Sequence, residues 1–310
     1  MSSWQPAVAA YIQLRRSVGF QLRTAGVARA RFAAFLDARG AAHLTRALAL
    51  EWAQAAPPRH PATQAQRLSY VRGFARYWSA QDPDTEVPPC GLLPHRPHRA
   101  QPYLYSVAEV RRLLRAARQL PPVGGLRGAT YSCLLGLLAV TGMRLGEVLH
   151  LQVADVDLPA GLLTIRRAKF GKARLVPIHP TTRRALAAYA AQRDQGLEGR
   201  SAPAFFVSTR GTPLDAGTVH RTFYALSRET GLRGLTASHG PRLHDFRHRF
   251  AVQTLIRWYR AGQDAERRLP LLSTYLGHVH VADTYWYLTA YPALLGHARQ
   301  RLEARWEVSA

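Results

Sequence analysis

Six prolines, Pro83, Pro88, Pro89, Pro94, Pro97 and Pro102, fall within a stretch of 21 residues that begins at Asp82. Proline fixes φ, lacks an N–H and clashes with the preceding helical turn, so neither a helix nor a central strand runs through such a stretch. The segment must be extended, and the chain on either side must build its own core. The organisation predicted for the 310 residues is a helical domain over 1–82, an extended linker over 83–102 and a second domain over 103–310.

The first part reads as helical throughout. Pro6–Val18, Gly26–Ala38 and Ala47–Ala55 are rich in Ala and Leu at helical spacing. Thr63 and Gln66 have capping-box spacing and are expected to open a helix reaching about Ala80. Leu68, Val71, Phe74, Ala75 and Trp78 lie on one side of that helix, whereas Arg67, Arg72 and Arg76 lie elsewhere, available to phosphates or simply to solvent. In the second part, Ser106 and Glu109 form another capping box, followed by a buried apolar helix over Ala129–Val140. Leu162–Arg167 and Ala173–Ile178 read as a β-hairpin around Lys-Phe-Gly-Lys. Helices follow over Thr182–Gln195, Ala216–Thr230, Arg242–Tyr259, Arg268–Tyr275 and Pro292–Glu303, with Ala204–Val207 a lone strand. The fold class expected is mainly α with a small β-sheet.

Charge narrows the partner. Lys and Arg number 42 against 19 Asp and Glu, a net +23. Residues 1–100 carry 13 basic and 5 acidic groups, and the remainder 29 and 14, so both parts are basic. A polyanion touched by both domains is the natural partner, and nucleic acid is the commonest. No apolar run approaches the roughly 20 residues of a membrane span, so no membrane partner is expected. The start of the chain has no basic and apolar leader pattern, and two cysteines form no disulfide framework, so a reducing cytoplasm is expected. Neither GxxxxGK[ST] nor GxGxxG occurs, which argues against nucleotide-driven chemistry.

Forty of the basic residues are Arg and two are Lys, namely Lys169 and Lys172. Arg keeps its proton in proteins, while a Lys with a shifted pKa acts as acid or base. Other chemistry-bearing residues come in short motifs. Arg144 follows the break at Gly142, with Glu147 three residues on and within reach. His244 and Arg247 share a helix face, joining an acid/base group to a planar anion fork. His244 and His248, one turn apart, could also hold a metal, but the acidic ligands a catalytic metal favours are scarce nearby. His278 follows Leu-Gly, and Tyr287 comes nine residues later inside Thr-Tyr-Trp-Tyr-Leu.

T-G-M-R-L-G-E, a hairpin lysine before R-L-V-P, H-D-F-R-H, L-G-H and then a Tyr, in that order, resemble the tyrosine recombinase (phage integrase) family. The likeness spans nearly all of residues 103–310 and is strongest to integrases of transposon-like mobile elements. It implies an α/β tyrosine-recombinase catalytic domain behind a helical, SAM-like core-binding domain, the two closing around duplex DNA at a specific recombination site. It implies the roles as well. Arg144, Arg247 and His278 would hold the scissile phosphate, and Tyr287 would attack it. His244 would be the base, Lys169 the acid for the leaving 5′-oxygen, Lys172 a variable basic position, and Glu147 the group orienting Arg144. No cofactor and no metal are implied, and four protomers, alike or mixed, would assemble on DNA. Tyr285 and Tyr287 would point roughly 200° apart on a helix, so one faces the site and the other packs in the core. The rival readings are a non-catalytic accessory DNA-binding subunit of a mobile element, a metal-dependent nuclease using His244, His248, His278 and His280, and a type IB topoisomerase.

The charge yields a prediction. If six to ten phosphates are contacted, affinity for duplex DNA falls roughly 10³–10⁵-fold between 50 and 200 mM salt. A filter-binding or anisotropy salt series reads this, and a shallow slope contradicts it.

Overall fold

The computed structural model describes residues 3–55, 60–93, 101–166, 173–290, 296 and 299. Lys169, Lys172 and the hairpin turn expected around them lie outside the described residues, as do His95, Arg96, His98, Arg99 and all of the helix expected over Pro292–Glu303 except Gly296 and Arg299, which are helical. The chain divides into two compact units, Met1–Ala100 and Gln101–Ala310.

Among its described residues the first unit has four helices: α1 (Trp4–Ser17), α2 (Arg23–Ala38), α3 (Arg46–Gln54) and α4 (Pro61–Trp78). Each turns its apolar stripe inward, so Trp4, Val8, Tyr11, Phe32, Leu36, Trp52 and Phe74 form one core. The capping box at Thr63 and Gln66 does not form. The helix starts earlier because Pro61, pre-set for the first helical position, follows His60, whose side chain accepts from the Ala62 amide. The start of the proline-rich segment forms neither helix nor strand, turns at residues 83–84 and 90–91, and packs on this unit. The Glu86 amide donates to the Leu44 carbonyl, Val87 and Leu93 lie against the core, and Arg72 donates to the carbonyls of Pro88 and Pro89 at 2.7 and 2.8 Å.

The second unit is built on α6 (Leu126–Thr141), which is apolar on nearly every side. Helix α5 (Val107–Arg118) packs on it, opened by the expected capping box: the Glu109 amide reaches the Ser106 hydroxyl, and the Ser106 amide reaches the Glu109 carboxylate. Helices α8 (Pro180–Leu197) and α10 (Asp245–Arg260) also pack on α6, and α9 (Ala216–Glu229) packs on α5. Between α6 and α8 lie the short α7 (Leu145–Leu149) and an antiparallel sheet of β1 (Val156–Asp157), β2 (Leu162–Ile165) and β3 (Arg174–Pro177), in that order. Leu163 sits opposite Val176, and both are buried. Ala204–Val207 is not a strand. It is a buried segment held by isolated bridges from Ala204 to Gln152 and from Val207 to Pro213. Helices α11 (Ala265–Leu276) and α12 (Ala282–Ala290) close a second cluster with α10. No helix among the described residues is long and apolar enough to cross a membrane.

Two glycines set the turns that matter. Gly142 ends α6 at φ +62°, and an added Cβ would lie 2.8 Å from the Phe250 ring on α10. Gly277 ends α11 at φ +69°, with a Cβ landing 2.8 Å from the Arg174 guanidinium. Both positions need the left-handed region and also a missing side chain. Gly142→Ala should therefore cost about 2–4 kcal/mol, left-handed strain adding to overpacking. Urea unfolding measures it, and a loss under about 0.5 kcal/mol contradicts the account.

Candidate active site

Every helix leaves its last carbonyls without intrahelical donors, and their dipoles concentrate negative charge there. At the end of α11, three consecutive carbonyls each take an arginine. Arg174 Nε donates to Tyr275 at 2.8 Å, Arg247 Nη2 to Leu276 at 2.8 Å and Arg144 Nη2 to Gly277 at 3.0 Å. Arg247 is 2% exposed, and its Nη1 donates to the Gly142 carbonyl at 2.9 Å. The left-handed turns at Gly142 and Gly277 thus present the backbone oxygens that aim the clamp.

Glu147 ties two of these arginines together. Its carboxylate accepts from Arg144 Nη1 and the Arg144 amide, both at 2.9 Å. It also accepts both ends of the Arg174 fork, at 3.0 and 2.9 Å. Burial alone would raise its pKa. Arg174 first and then Arg144 more than offset that and hold it at about 2. Arg144 keeps about a quarter of its side chain exposed, so part of the guanidinium still faces outward. Burial, and then the neighbouring Arg144 charge, lower the Arg247 pKa to about 10, where it remains cationic at neutral pH.

The histidines and tyrosine close on this clamp. The Tyr287 hydroxyl is 3.1 Å from His248 Nδ1, and its ring stacks on His278 with centroids 6.4 Å apart. His278 Nδ1 lies 2.7 Å from the hydroxyl of Thr284, a buried α12 residue, so the Leu-Gly-His turn is tied to the tyrosine helix. His244 caps α10, and its ring meets His248 edge-on at 4.8 Å. Desolvation of the ring and then the Arg247 charge lower its pKa to about 4, so it is neutral at pH 7 and able to accept a proton. His248, one turn deeper than His244, is a side chain that meets the Tyr287 hydroxyl.

Tyr287 faces the site histidines, but Tyr285 does not take the core position expected of it. Tyr285 is 49% exposed and is not in the core, whereas Tyr287 is 2% exposed. The helical spacing holds, but the apolar face of α12 that packs on α10 and α11 is the face that carries Tyr287. The structure brings Arg144, Glu147, His244, Arg247, His278 and Tyr287 together. In the other unit, Arg72 braces the proline-rich segment, Arg67 lies 4.1 Å over the Trp52 ring, and Arg76 is exposed.

Arg174 was missed as a site residue, although a signal for it existed. It shares the inner face of β3 with buried Val176, at period two, and an Arg on an inward face demands a partner. His248 was weighed only as a metal ligand.

Residues 105–293 match the phage integrase family. The chain is 56% identical over 311 residues to a Sinorhizobium fredii protein named integrase/recombinase y4rB, covering 99% of each. The chain belongs to the phage integrase family. It is accordingly a tyrosine-type site-specific DNA recombinase by family. It is also 29% identical to the tyrosine recombinase XerD of Caulobacter vibrioides, over 77% of this chain and 74% of that one. Among solved structures it resembles the Tn1549 transposon integrase in complex with transposon right-end DNA, with TM-score 0.68, 16% identity and coverage of 98% and 99%. That likeness is one of fold.

The Glu147 knot sets a pH dependence. The folded pKa is depressed from 4.5, so the stabilisation is present above about 4.5 and is lost as pH falls towards 2. Over that window the wild type should lose on the order of 3 kcal/mol relative to Glu147→Gln. Parallel acid-limb stability curves for the two proteins contradict the assignment.

Proposed function

We propose that this chain cuts and rejoins DNA strands at a specific duplex site, with Tyr287 as the nucleophile. The observation that carries the reading is the convergence of Tyr287, His248 and His278 on the Arg144–Arg247 clamp. The two guanidiniums and His278 hold the non-bridging oxygens of one phosphodiester and stabilise the charge that builds as phosphorus becomes pentacoordinate. The Tyr287 oxygen attacks phosphorus and gives its proton to the His248–His244 pair, of which the His244 ring is neutral at the start. The P–O5′ bond breaks, Lys169 supplies the proton that the leaving 5′-oxygen needs, and a 3′-phosphotyrosine remains. The ester stores the bond energy, so rejoining by a second 5′-hydroxyl needs no nucleotide cofactor.

The wider reading follows from the same chemistry. The first unit is the helical core-binding domain, joined through the proline-rich linker to the catalytic domain. Both contact duplex DNA, and two cut duplexes exchanging strands call for four protomers, identical or mixed with partner recombinases. The protein acts in the cytoplasm, where DNA is at hand.

A nicked suicide duplex, from which the cut fragment diffuses away, traps the ester. The wild type should give an adduct that survives denaturation, in chelator as well as without it. Tyr287→Phe should give none while retaining DNA affinity within about threefold, because the arginine clamp remains. Tyr285→Phe should still form it. Lys169→Arg should slow cleavage of ordinary DNA yet recover on a substrate with sulfur at the leaving 5′ position. An adduct in Tyr287→Phe, or none in the wild type on any duplex with or without partner recombinases, overturns the reading.

A further inference from the structure

The first unit holds a cluster of cations that the active site does not use. Helices α1, α2 and α4 enclose an open cavity of about 440 Å³, lined by Tyr11, Arg15, Arg29, Gly73, Arg76 and Tyr77. Arg29 is only 6% exposed. Its Nε donates to the Tyr70 carbonyl at 3.0 Å, which leaves the two terminal nitrogens for other partners. Its Nη1 is buried and has no acceptor among the described residues, and the same holds for Arg15 Nε. A buried guanidinium N–H without an acceptor carries the desolvation cost of a charged donor, so it marks a place where an acceptor belongs.

Three further observations give that acceptor its chemistry. No carboxylate among the described residues pairs with Arg15, Arg29 or Arg76; Arg15 lies over the Phe20 ring and Arg29 over the Tyr11 ring, so aromatic faces but no anion offset the cluster's charge. Burial lowers the Arg29 pKa, with Tyr11 and Tyr70 opposing and the Arg15 charge adding to the effect, and the attraction of a bound anion would offset the lowering. Gly73 sits inside α4, where glycine costs about 0.5–1 kcal/mol relative to alanine. A Cβ there would lie 3.0 Å from Arg29 Nη2 and 3.5 Å from the Tyr11 hydroxyl, so the glycine keeps the cavity floor clear. Planar guanidinium forks beside tyrosine hydroxyls suit an oxyanion with several acceptor oxygens better than a halide.

We propose that this cavity is a phosphate-class oxyanion site, with Arg29 as its buried ligand and Arg15 closing over the bound group. The anion is either a backbone phosphate of the DNA or a free phosphate. Only the first source rests on the DNA-binding reading above.

The test uses the full chain and two variants, Arg15→Gln at the rim and Gly73→Ala at the floor, each checked for helix content by circular dichroism. In the first arm, inorganic phosphate is compared with chloride at matched ionic strength by thermal unfolding. The wild type should gain extra stability in phosphate, as any ligand of the native state provides, and both variants should lose most of that gain. In the second arm, the salt dependence of duplex binding is measured. If the DNA supplies the anion, the slope of log K against log salt should fall by about one in the variants. A free phosphate leaves the slope unchanged. If Gly73→Ala fails to fold, Arg15→Gln alone decides. An equal phosphate gain in wild type and variants overturns the site. So does the absence of any gain together with unaltered salt slopes. Neither result bears on adduct formation by Tyr287, so the two proposals fail separately.

Discussion

The second unit turns on one helix end. Tyr275, Leu276 and Gly277 at the close of α11 offer three unpaired carbonyls, and Arg174, Arg247 and Arg144 each take one. Three guanidiniums this close repel one another, and the negative end of the helix and the Glu147 carboxylate offset that repulsion. The consequence is mechanical as well as electrostatic. Arg174 comes from β3, Arg144 from the turn after α6 and Arg247 from α10, so α11 gathers three distant segments onto one point. The Leu-Gly-His turn continues directly into His278, and Thr284 carries the connection on to α12 and Tyr287. A site built this way is organised before any phosphate arrives, which is what electrostatic stabilisation of a transition state requires.

Glu147 poses a problem that Arg174 resolves. A carboxylate paired only with Arg144 would cancel the charge the phosphate needs. With Arg174 gripping both carboxylate oxygens, the trio carries a net positive charge, and Arg144 can turn part of its fork outward. The same grip ties the hairpin strand β3 to the clamp. Lys169, the lysine expected to act as the acid, precedes this strand by five positions in the sequence.

Much of this was legible in the sequence because the signals are local. The capping box at Ser106, the hairpin runs and the helical Ala- and Leu-rich stretches depend on neighbours a few residues away. Arg144, Arg247 and His278 were legible as candidates because each sits in a short motif at a helix end or turn, and Tyr287 because it follows His278 by nine residues. What was misread depends on tertiary contacts. Two start signals compete near residue 61, and Pro61 behind His60 prevails over Thr63. Ala204–Val207 has the apolar run of a strand, but a buried segment with one bridge at each end satisfies it equally well. Helical spacing separated Tyr285 from Tyr287, yet which face of α12 is covered was decided by α10 and α11. Arg174 is 27 residues from Glu147 and 101 from Tyr275, beyond the reach of any local pattern.

By this geometry Arg174 offsets the Glu147 charge and does not hold the fold alone. Single-turnover cleavage of a suicide substrate by Arg174→Met, Glu147→Gln and the double variant tests it directly. The account predicts that Arg174→Met cleaves at least about tenfold more slowly than wild type at saturating enzyme. Adding Glu147→Gln, which removes the neutralising carboxylate, should restore several-fold of that loss, a coupling expected of residues in one network. A double variant no faster than Arg174→Met, with the two losses simply adding, would contradict the account.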